Sequence, residues 1–548
     1  MPAKPDPVTP AAPARSACVI GAGLGGLALA IRLQAQGFAT TLIEAQPSAG
    51  GMIRRRQQGL FSFEEGPGEL GDPAPWRELA ALTGADLADL VTLREITPSC
   101  RYYWRDGTAF DLSADPAEMA RQLNRIAPHD IAGFEDLQRW YAAARLDAWQ
   151  RLAEAPLAGT AQTLRSLPTV LRNQGWRSVW GLVAQLVESE RLRDALAFPA
   201  LLSGANPFTA SALSLLGQAS PGRAAWWPLG GVSALIDALL ARFEALGGTV
   251  RLHDPVVQLE LIGNRVSAVA TQSGWRAHFH LVASNADVVH TYRDLLRHTP
   301  RGGQMAARLA RRHFAPSAFT VHFALTGTWP GVPHRAVLFG PRFKELLGDI
   351  FGAGVLPQDS LIMLHHPSVT DPSLAPAGTS LFRATIPVAH LGKLPVDWDG
   401  LAPLIARRVL DEIGRRLIPD IHDRIVAQTV TTPRDLALDL DAHLGSGWSL
   451  AATALQAGPL RPPHRDPRLA NFYLVGAATH PGAGVAAVLA GAKAAARLIQ
   501  QELRCTAVPS IAGLPARPIR VMSNSPRPSE ARWRSAGSGW SMAAGGWD

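Results

Sequence analysis

Cysteine is scarce in this chain: of 548 residues, only Cys18, Cys100 and Cys505 are cysteines. They stand far apart, so neither a disulfide framework nor a C-x-x-C metal site can be built from them. Long apolar runs are lacking too. No stretch of eighteen or more residues escapes interruption by charge or clustered glycine, which argues against a transmembrane span. There is no G-x-S-x-G elbow, no H-E-x-x-H helix and no internal repeat, so a hydrolase elbow and a zincin site are absent. His278 and His280 alternate around Phe279 and are expected on one strand face, while the rings of adjacent His365 and His366 point apart. Neither pair stands with carboxylates or cysteines at ligand spacing, so no metal is expected.

What is present is a globular balance, 47% hydrophobic and 18% charged with 50 Gly. That excludes wholesale disorder, collagen and coiled coil. The length allows two or three domains, or one large enzyme body with an inserted cap. A net charge of +8 suits anionic lipid, nucleic acid or a phosphate-bearing cofactor without choosing among them. Residues 17–33 imitate the apolar core of a signal peptide. Glycines at 21, 23, 25 and 26 interrupt them, each costing roughly 1 kcal/mol in a helix, so the segment reads as structure.

Prolines at 2, 5, 7, 10 and 13 mark residues 1–15 as a disordered leader. A strand at 16–20, a glycine turn and a helix with one apolar face (Leu24, Leu27, Ala28, Ile31, Ala35) follow. Gly37 stops the helix, and 40–43 is a second strand. Residues 75–225 read as mostly helical, 231–247 as another helix, and 249–252, 256–261 and 265–271 as strands. A strand returns at 471–476, with a helix from 485 to 503. Residues 505–548, rich in Arg, Pro, Ser and Gly with isolated Trp, read as a disordered basic tail suited to an anionic membrane surface.

The run Gly21-Ala22-Gly23-Leu24-Gly25-Gly26 lies between strand and helix, with Glu44 about twenty residues on. Gly21 permits a tight turn, Gly23 lets a pyrophosphate approach the backbone, and Gly26 lets helix and strand pack closely. The helix start offers free N–H groups and partial positive charge. Glu44 suits ribose hydroxyls and disfavours a 2′-phosphate. A second glycine pair, Gly50-Gly51, is unnecessary in a plain nicotinamide domain but suits a flavoprotein, whose long cofactor passes over it. A distant glycine-rich turn, Gly476 to Gly484, suits the flavin end of the same molecule. FAD, held non-covalently, is the expected cofactor.

These residues resemble the bacterial and fungal type of phytoene desaturase, the FAD-dependent carotenoid desaturases among the amine-oxidase-like flavoproteins. The resemblance rests on VIGAGLGGLALAIRLQAQG (19–37), SGANPFTASAL (203–213), WWPLGGVSALIDAL (226–239), SNADVVHTYRDLL (284–296), VTDPSLAPAG (369–378) and YLVGAATHPGAGV (473–485). It covers about 17–503 and is most specific at SNADVVHTYRDLL, which no generic cofactor argument requires. It implies an α/β fold: a discontinuous Rossmann-like FAD-binding domain from 16–75, 226–300 and 466–504. A mixed α+β, partly helical, membrane-facing substrate region would come from 76–225 and 301–465. The cofactor contacts it implies are Gly21, Ala22, Gly23, Gly25, Gly26, Glu44, Gly50, Gly51, Gly66, Pro67, Val256, Gly476, Thr479, His480, Gly482, Gly484 and Val485.

The chain departs from the family in places. Gly50-Gly51-Met52 replaces Gly-Gly-Arg, leaving Arg54, Arg55 or Arg56 to stand in from other backbone positions. Phe63-Glu64-Glu65-Gly66-Pro67 replaces Phe-Asp-Ala-Gly-Pro, Ala478 replaces a glycine before Thr479, and Val485-Ala486 replaces Ile-Pro. The implied activity is desaturation of an acyclic C40 polyene by hydride transfer to flavin. A carotenoid isomerase, a desaturase of a modified carotenoid and a catalytically weak FAD- and carotenoid-binding paralogue are the alternatives. No catalytic base is assigned: His480 is a candidate by position, with a turn-stabilising hydrogen bond as its other role. Trp226-Trp227 and Tyr102-Tyr103-Trp104 suit an apolar tunnel or a core, and Arg342 and Lys344 a solvated basic face. The expected partners are a carotenoid drawn from the bilayer and a membrane surface, not nucleic acid, in a cytoplasmic, peripherally membrane-associated protein.

Overall fold

A computed structural model of the protein describes residues 15–156, 160–359, 361–453 and 456–505. The expected leader and tail lie outside the described residues, apart from Arg15 and Cys505. In chain order come β1 (Ser16–Ile20), α1 (Leu24–Ala35), β2 (Ala39–Ile43) and the hairpin of β3 (Arg55–Gln58) and β4 (Phe61–Glu64). Next are β5 (Cys100–Tyr103), β6 (Ala109–Leu112), α2 (Thr160–Arg172), α3 (Val232–Ala245), β7 (Thr249–Arg251) and β8 (Leu281–Ser284). The second half brings β9 (Ser317–Thr326), β10 (Arg335–Leu338), β11 (Ile362–His365), β12 (Thr379–Val388) and α4 (Trp398–Arg416). Then follow β13 (Ile425–Thr431), β14 (Phe472–Leu474) and α5 (Val485–Cys505).

The first sheet is parallel, in the order β14-β8-β1-β2-β7. Its strands come from three distant parts of the chain. Strand order reverses beside β1, and a crevice outside the carboxyl ends of such strands is where open α/β sheets bind ligands. The expectation of one apolar face on α1 needs correction: every residue from Leu24 to Leu33 is buried. The sheet, α3 and α5 all pack against this helix, and its Arg32 is matched by Glu78 at 3.0 Å.

A second sheet has the order β13-β9-β12-β11-β10-β5-β6 and is antiparallel except for the β10–β5 pair. Strands β5 and β6, with a strand at Leu93–Ile96, correct the mostly helical reading of 76–225. Side chains alternate across the sheet. Phe319, Val321, Phe323, Phe382 and Ile386 pack on Trp398, Ile405, Val409 and Ile413 of α4. Each buried large side chain contributes roughly 1.5–3 kcal/mol. The other face carries Thr320, His322, Met363, His365, Arg383 and Thr385. It looks towards the segment that follows β4. No helix among the described residues is long and apolar enough to cross a membrane.

Candidate functional site

The first glycine turn closes at the carboxyl end of β1. Gly21 has φ +90° and donates its N–H to the Ile43 carbonyl at 2.7 Å. A Cβ on Gly26 would stand 1.9 Å from the Gly21 carbonyl oxygen, so no side chain fits there. Gly23 caps α1 in an extended conformation without a side-chain hydrogen bond, and the first turn holds no acid. The helix start is therefore open to an anion.

Glu44 reaches this turn from the end of β2. One carboxylate oxygen accepts from Ala22 N–H at 2.6 Å, the other from Gln46 N–H at 2.9 Å. Burial raises its pKa, and those N–H groups oppose the rise. Sequence reasoning gave Glu44 to a ribose; it missed that the same carboxylate braces the turn. The second glycine pair docks directly on the first: Gly50 N–H donates to the Ala22 carbonyl at 2.9 Å. Gly50 has φ +119°, and a Cβ on Gly51 would lie 3.1 Å from the Gly23 Cα.

The far turn arrives at the same point. A Cβ on Gly25 would stand 3.3 Å from the Gly476 Cα, and Asn285 fills the space between. Its side-chain oxygen lies 2.5 and 2.7 Å from the Cβ positions of Gly25 and Gly476, its nitrogen 2.8 Å from that of Gly23. Sequence reasoning does not reach Asn285 as a site residue. The signal was the SNAD run, which had no generic explanation. Thr479 is buried and donates from Oγ1 to the Gly476 carbonyl at 2.9 Å.

Other expected residues lie further along the crevice. Gly66, at φ +101°, rests on Met52 and Ile53, and half-buried Pro67 follows it. Val256 is buried two residues after Asp254, whose N–H donates to the Glu44 carbonyl at 3.0 Å. Gly482 lies against the Arg461 guanidinium, Gly484 near Ser203 and Gln218, and Val485 opens α5 against the core. His480 is buried, which lowers its pKa, and its Nε2–H donates to the Leu152 carbonyl. That bond ties the far turn to the segment at Leu152. An uncapped helix start, glycine backbones too crowded for side chains and a brace from Glu44 fit the pyrophosphate and ribose of a dinucleotide.

The proposed stand-ins for the missing arginine are already engaged. Arg54 pairs with Glu65 at 2.5 Å and Asp439 at 3.0 Å, Arg56 with the same two carboxylates, and Arg55 with Asp237 at 3.1 Å. Tyr102 and Trp104 stack on Phe339 in one core, and Trp227 is fully buried in another, the core around α1. Arg342 is exposed but paired with Asp359 at 2.7 Å. His278 and His280 lie in the connection after a strand at Arg276–Ala277, so they share no strand face. His365 and His366 do point apart, to His334 and to the Val332 carbonyl, each at 2.9 Å. No cluster among the described residues could hold a metal ion.

Beyond Gly66 the site opens onto the second sheet. Register aligns His322, Arg383, His365 and Arg335 in one row across β9, β12, β11 and β10. The next row is Thr320, Thr385, Met363 and Val337. Past it, a small recess is lined by Leu201, Gly204, Pro316, Phe351, Leu361, Met363, Pro387 and Trp448. The floor thus grades from cationic to apolar. Glu65 anchors one end of the first row. Burial would raise its pKa, but His322, Arg54 and the Thr431 hydroxyl take it below the ordinary carboxylate range.

On the surface, α2 turns its polar side inward. Ser166 and Thr169 are buried, whereas Leu164, Leu167 and Leu171 are 70, 50 and 53% exposed. Exposed Trp176 lies nearby, with the Arg177 guanidinium 4.5 Å over its ring. No acidic residue occurs from 155 to 187, a span that holds Arg165, Arg172 and Arg177.

Fold and site together define a flavoprotein of the dinucleotide-binding class, with a parallel-sheet cofactor crevice set beside a large antiparallel floor. The family of flavin-containing amine oxidoreductases matches residues 24–499. A lycopene-forming phytoene desaturase of Pseudescherichia vulneris is 40% identical over 487 residues, spanning 89% of this chain and 99% of that protein. A neurosporene-forming phytoene desaturase of Cereibacter sphaeroides is 34% identical, spanning 90% of this chain and 96% of that one. The crystal structure of an oxidoreductase from Methanosarcina mazei shares the fold, with a TM-score of 0.56 at 15% identity over 89% of this chain and all of that one. The chain belongs to the flavin-containing amine oxidoreductases and, within them, to the phytoene desaturase type.

Proposed function

We propose that the protein is an FAD-dependent oxidoreductase that introduces conjugated double bonds into an acyclic C40 polyene of the phytoene kind. The observation that carries this reading is the meeting of Gly23, Gly25 and Gly476 around Asn285, with Gly51 against Gly23, beside a floor that runs into an apolar recess. Bound FAD supplies the hydride acceptor. The α1 start holds its pyrophosphate and Glu44 its ribose, while Thr479 fixes the far turn. A hydrocarbon offers no polar handle, so Leu201, Phe351, Leu361, Met363 and Trp448 orient it by shape and exclude water. The outward leucines of α2, with Trp176 and the acid-free run of arginines, support docking on an anionic bilayer from which the substrate is drawn.

Expression in a host that accumulates phytoene tests the reading. Pigments absorbing at longer wavelength, lighter by two hydrogens per step, are expected. Geometric isomers of unchanged mass as the only products would overturn it, as would untouched phytoene in cells holding flavin-loaded protein.

A further inference from the structure

The row on the sheet floor holds two guanidinium groups, Arg335 and Arg383, and one of them has no carboxylate of its own. Arg335 pairs with Glu69 at 2.7 Å, and His322 faces Glu65 at 3.6 Å. His365 meets His334 at 2.9 Å. Arg383, between His322 and His365, makes no ion pair among the described residues. Its one side-chain hydrogen bond among those residues runs from Nη1 to the main-chain carbonyl of Glu64 at 2.9 Å. Burial pushes its pKa down from the ordinary value, against the more distant charges of Glu64, Glu65 and Glu69. Although deep in the protein, Arg383 keeps part of its surface accessible, so it borders internal space. A Cβ on Gly68, two residues past Gly66, would lie 3.5 Å from its Nη2.

A buried guanidinium with a single neutral acceptor is an unbalanced charge, expensive to keep unless a partner arrives. A hydrocarbon substrate cannot be that partner. We propose that Arg383 is the charge partner of the reduced flavin, a role that rests on the flavin reading above. In desaturation the allylic C–H bond gives up its hydrogen with both electrons to the cofactor. The neighbouring carbon loses a proton, which passes to water and leaves to solvent, and the electron pair of that second C–H bond becomes the new π bond. The cofactor is left with one added negative charge, formed where water is excluded. A fixed cation there favours the reduced over the oxidised form. Arg383 acts on the cofactor and needs no contact with the polyene.

The test uses full-length protein loaded with FAD. Its two-electron midpoint potential is measured by dye equilibration, and sulfite affinity is measured from the bleaching of oxidised flavin. Sulfite donates its sulfur lone pair to the flavin and leaves a negative charge on the ring, so it senses the same cation without turnover. Arg383→Met and Arg383→Gln should weaken sulfite binding at least tenfold. They should also lower the relative affinity for reduced flavin at least tenfold, about 30 mV for a two-electron couple. Uptake of oxidised FAD should be retained, and Arg383→Lys should restore most of both effects. Unchanged potential and sulfite affinity in a flavin-bearing neutral variant would overturn the proposal. Wild-type holoprotein that forms no sulfite adduct would do the same and requires no substitution. So would a variant with an unaltered potential that loses only the binding of a hydroxylated polyene, since the guanidinium would then serve the substrate. A wild-type chain that takes up no FAD would overturn the flavin reading and this proposal together.

Discussion

Glu44 holds two backbone N–H groups with one carboxylate, which ties the cofactor crevice to the stability of the turn that forms it. Charge-assisted bonds of this kind contribute about 1.5–3 kcal/mol. Glu44→Ala should therefore weaken FAD binding roughly tenfold to a hundredfold, read by flavin fluorescence titration. It should also lower the melting temperature of the apoprotein, because the brace exists before the cofactor arrives; an unchanged apoprotein would mean that Glu44 acts on ribose alone. Asp194 gives a pH-dependent counterpart. Burial raises its pKa to about 7, above the unfolded value of 3.8. A raised carboxyl pKa favours the fold fully below the unfolded value, and that contribution fades as pH climbs from about 4 through about 7. Asp194→Asn should flatten this loss, with a gain on the order of 1–3 kcal/mol at pH 8 after allowance for its partial exposure. Denaturant unfolding at pH 5 and pH 8 separates the two proteins; equal slopes with pH would rule the effect out.

At the level of elements, β1, α1 and β2 were legible because glycine, apolar period and a terminal carboxylate punctuate them within thirty residues. The strands β5 and β6 were not. Four residues each, their alternation is too short to stand out in a helical neighbourhood, and they form only because β10 offers an edge more than 200 positions later. The row from His322 to Arg335 was hidden for the same reason: register between distant strands puts those side chains together, and no local spacing encodes it. All-round burial of α1 likewise depends on α5, the last described helix of the chain. Helix α2 shows the opposite case, since its period is visible but not which side faces out. With Leu164 and Leu171 outward, Leu164→Asp and Leu171→Asp should cut partition onto anionic liposomes at least tenfold and leave the melting temperature nearly unchanged. Raising salt should weaken the remaining binding through the arginines. Liposome flotation at two salt concentrations reads both effects, and undiminished flotation of both variants would remove α2 from the membrane face.

Across the whole molecule, the proposed cofactor crevice is assembled from chain segments near residues 21–51, 285 and 476–484. They are joined through the parallel sheet, the packing of α5 on α1 and the contacts around Asn285. A ligand spanning all three stabilises their junction, because it binds the folded arrangement and not the separated segments. At one hundred times its dissociation constant, such a ligand adds about 2.7 kcal/mol. Adding FAD to apoprotein should therefore slow amide hydrogen exchange at Gly23 to Leu27, Gly50 to Ile53, Asn285 and Gly476 to Thr479 together and by similar factors. Protection confined to Gly23 to Leu27 would mean that the cofactor engages only the first turn. In that event the second glycine pair and the far turn would be packing features, and the extended dinucleotide path would be wrong even if flavin still bound. Joint protection ties the three segments into one cooperative unit that the cofactor completes.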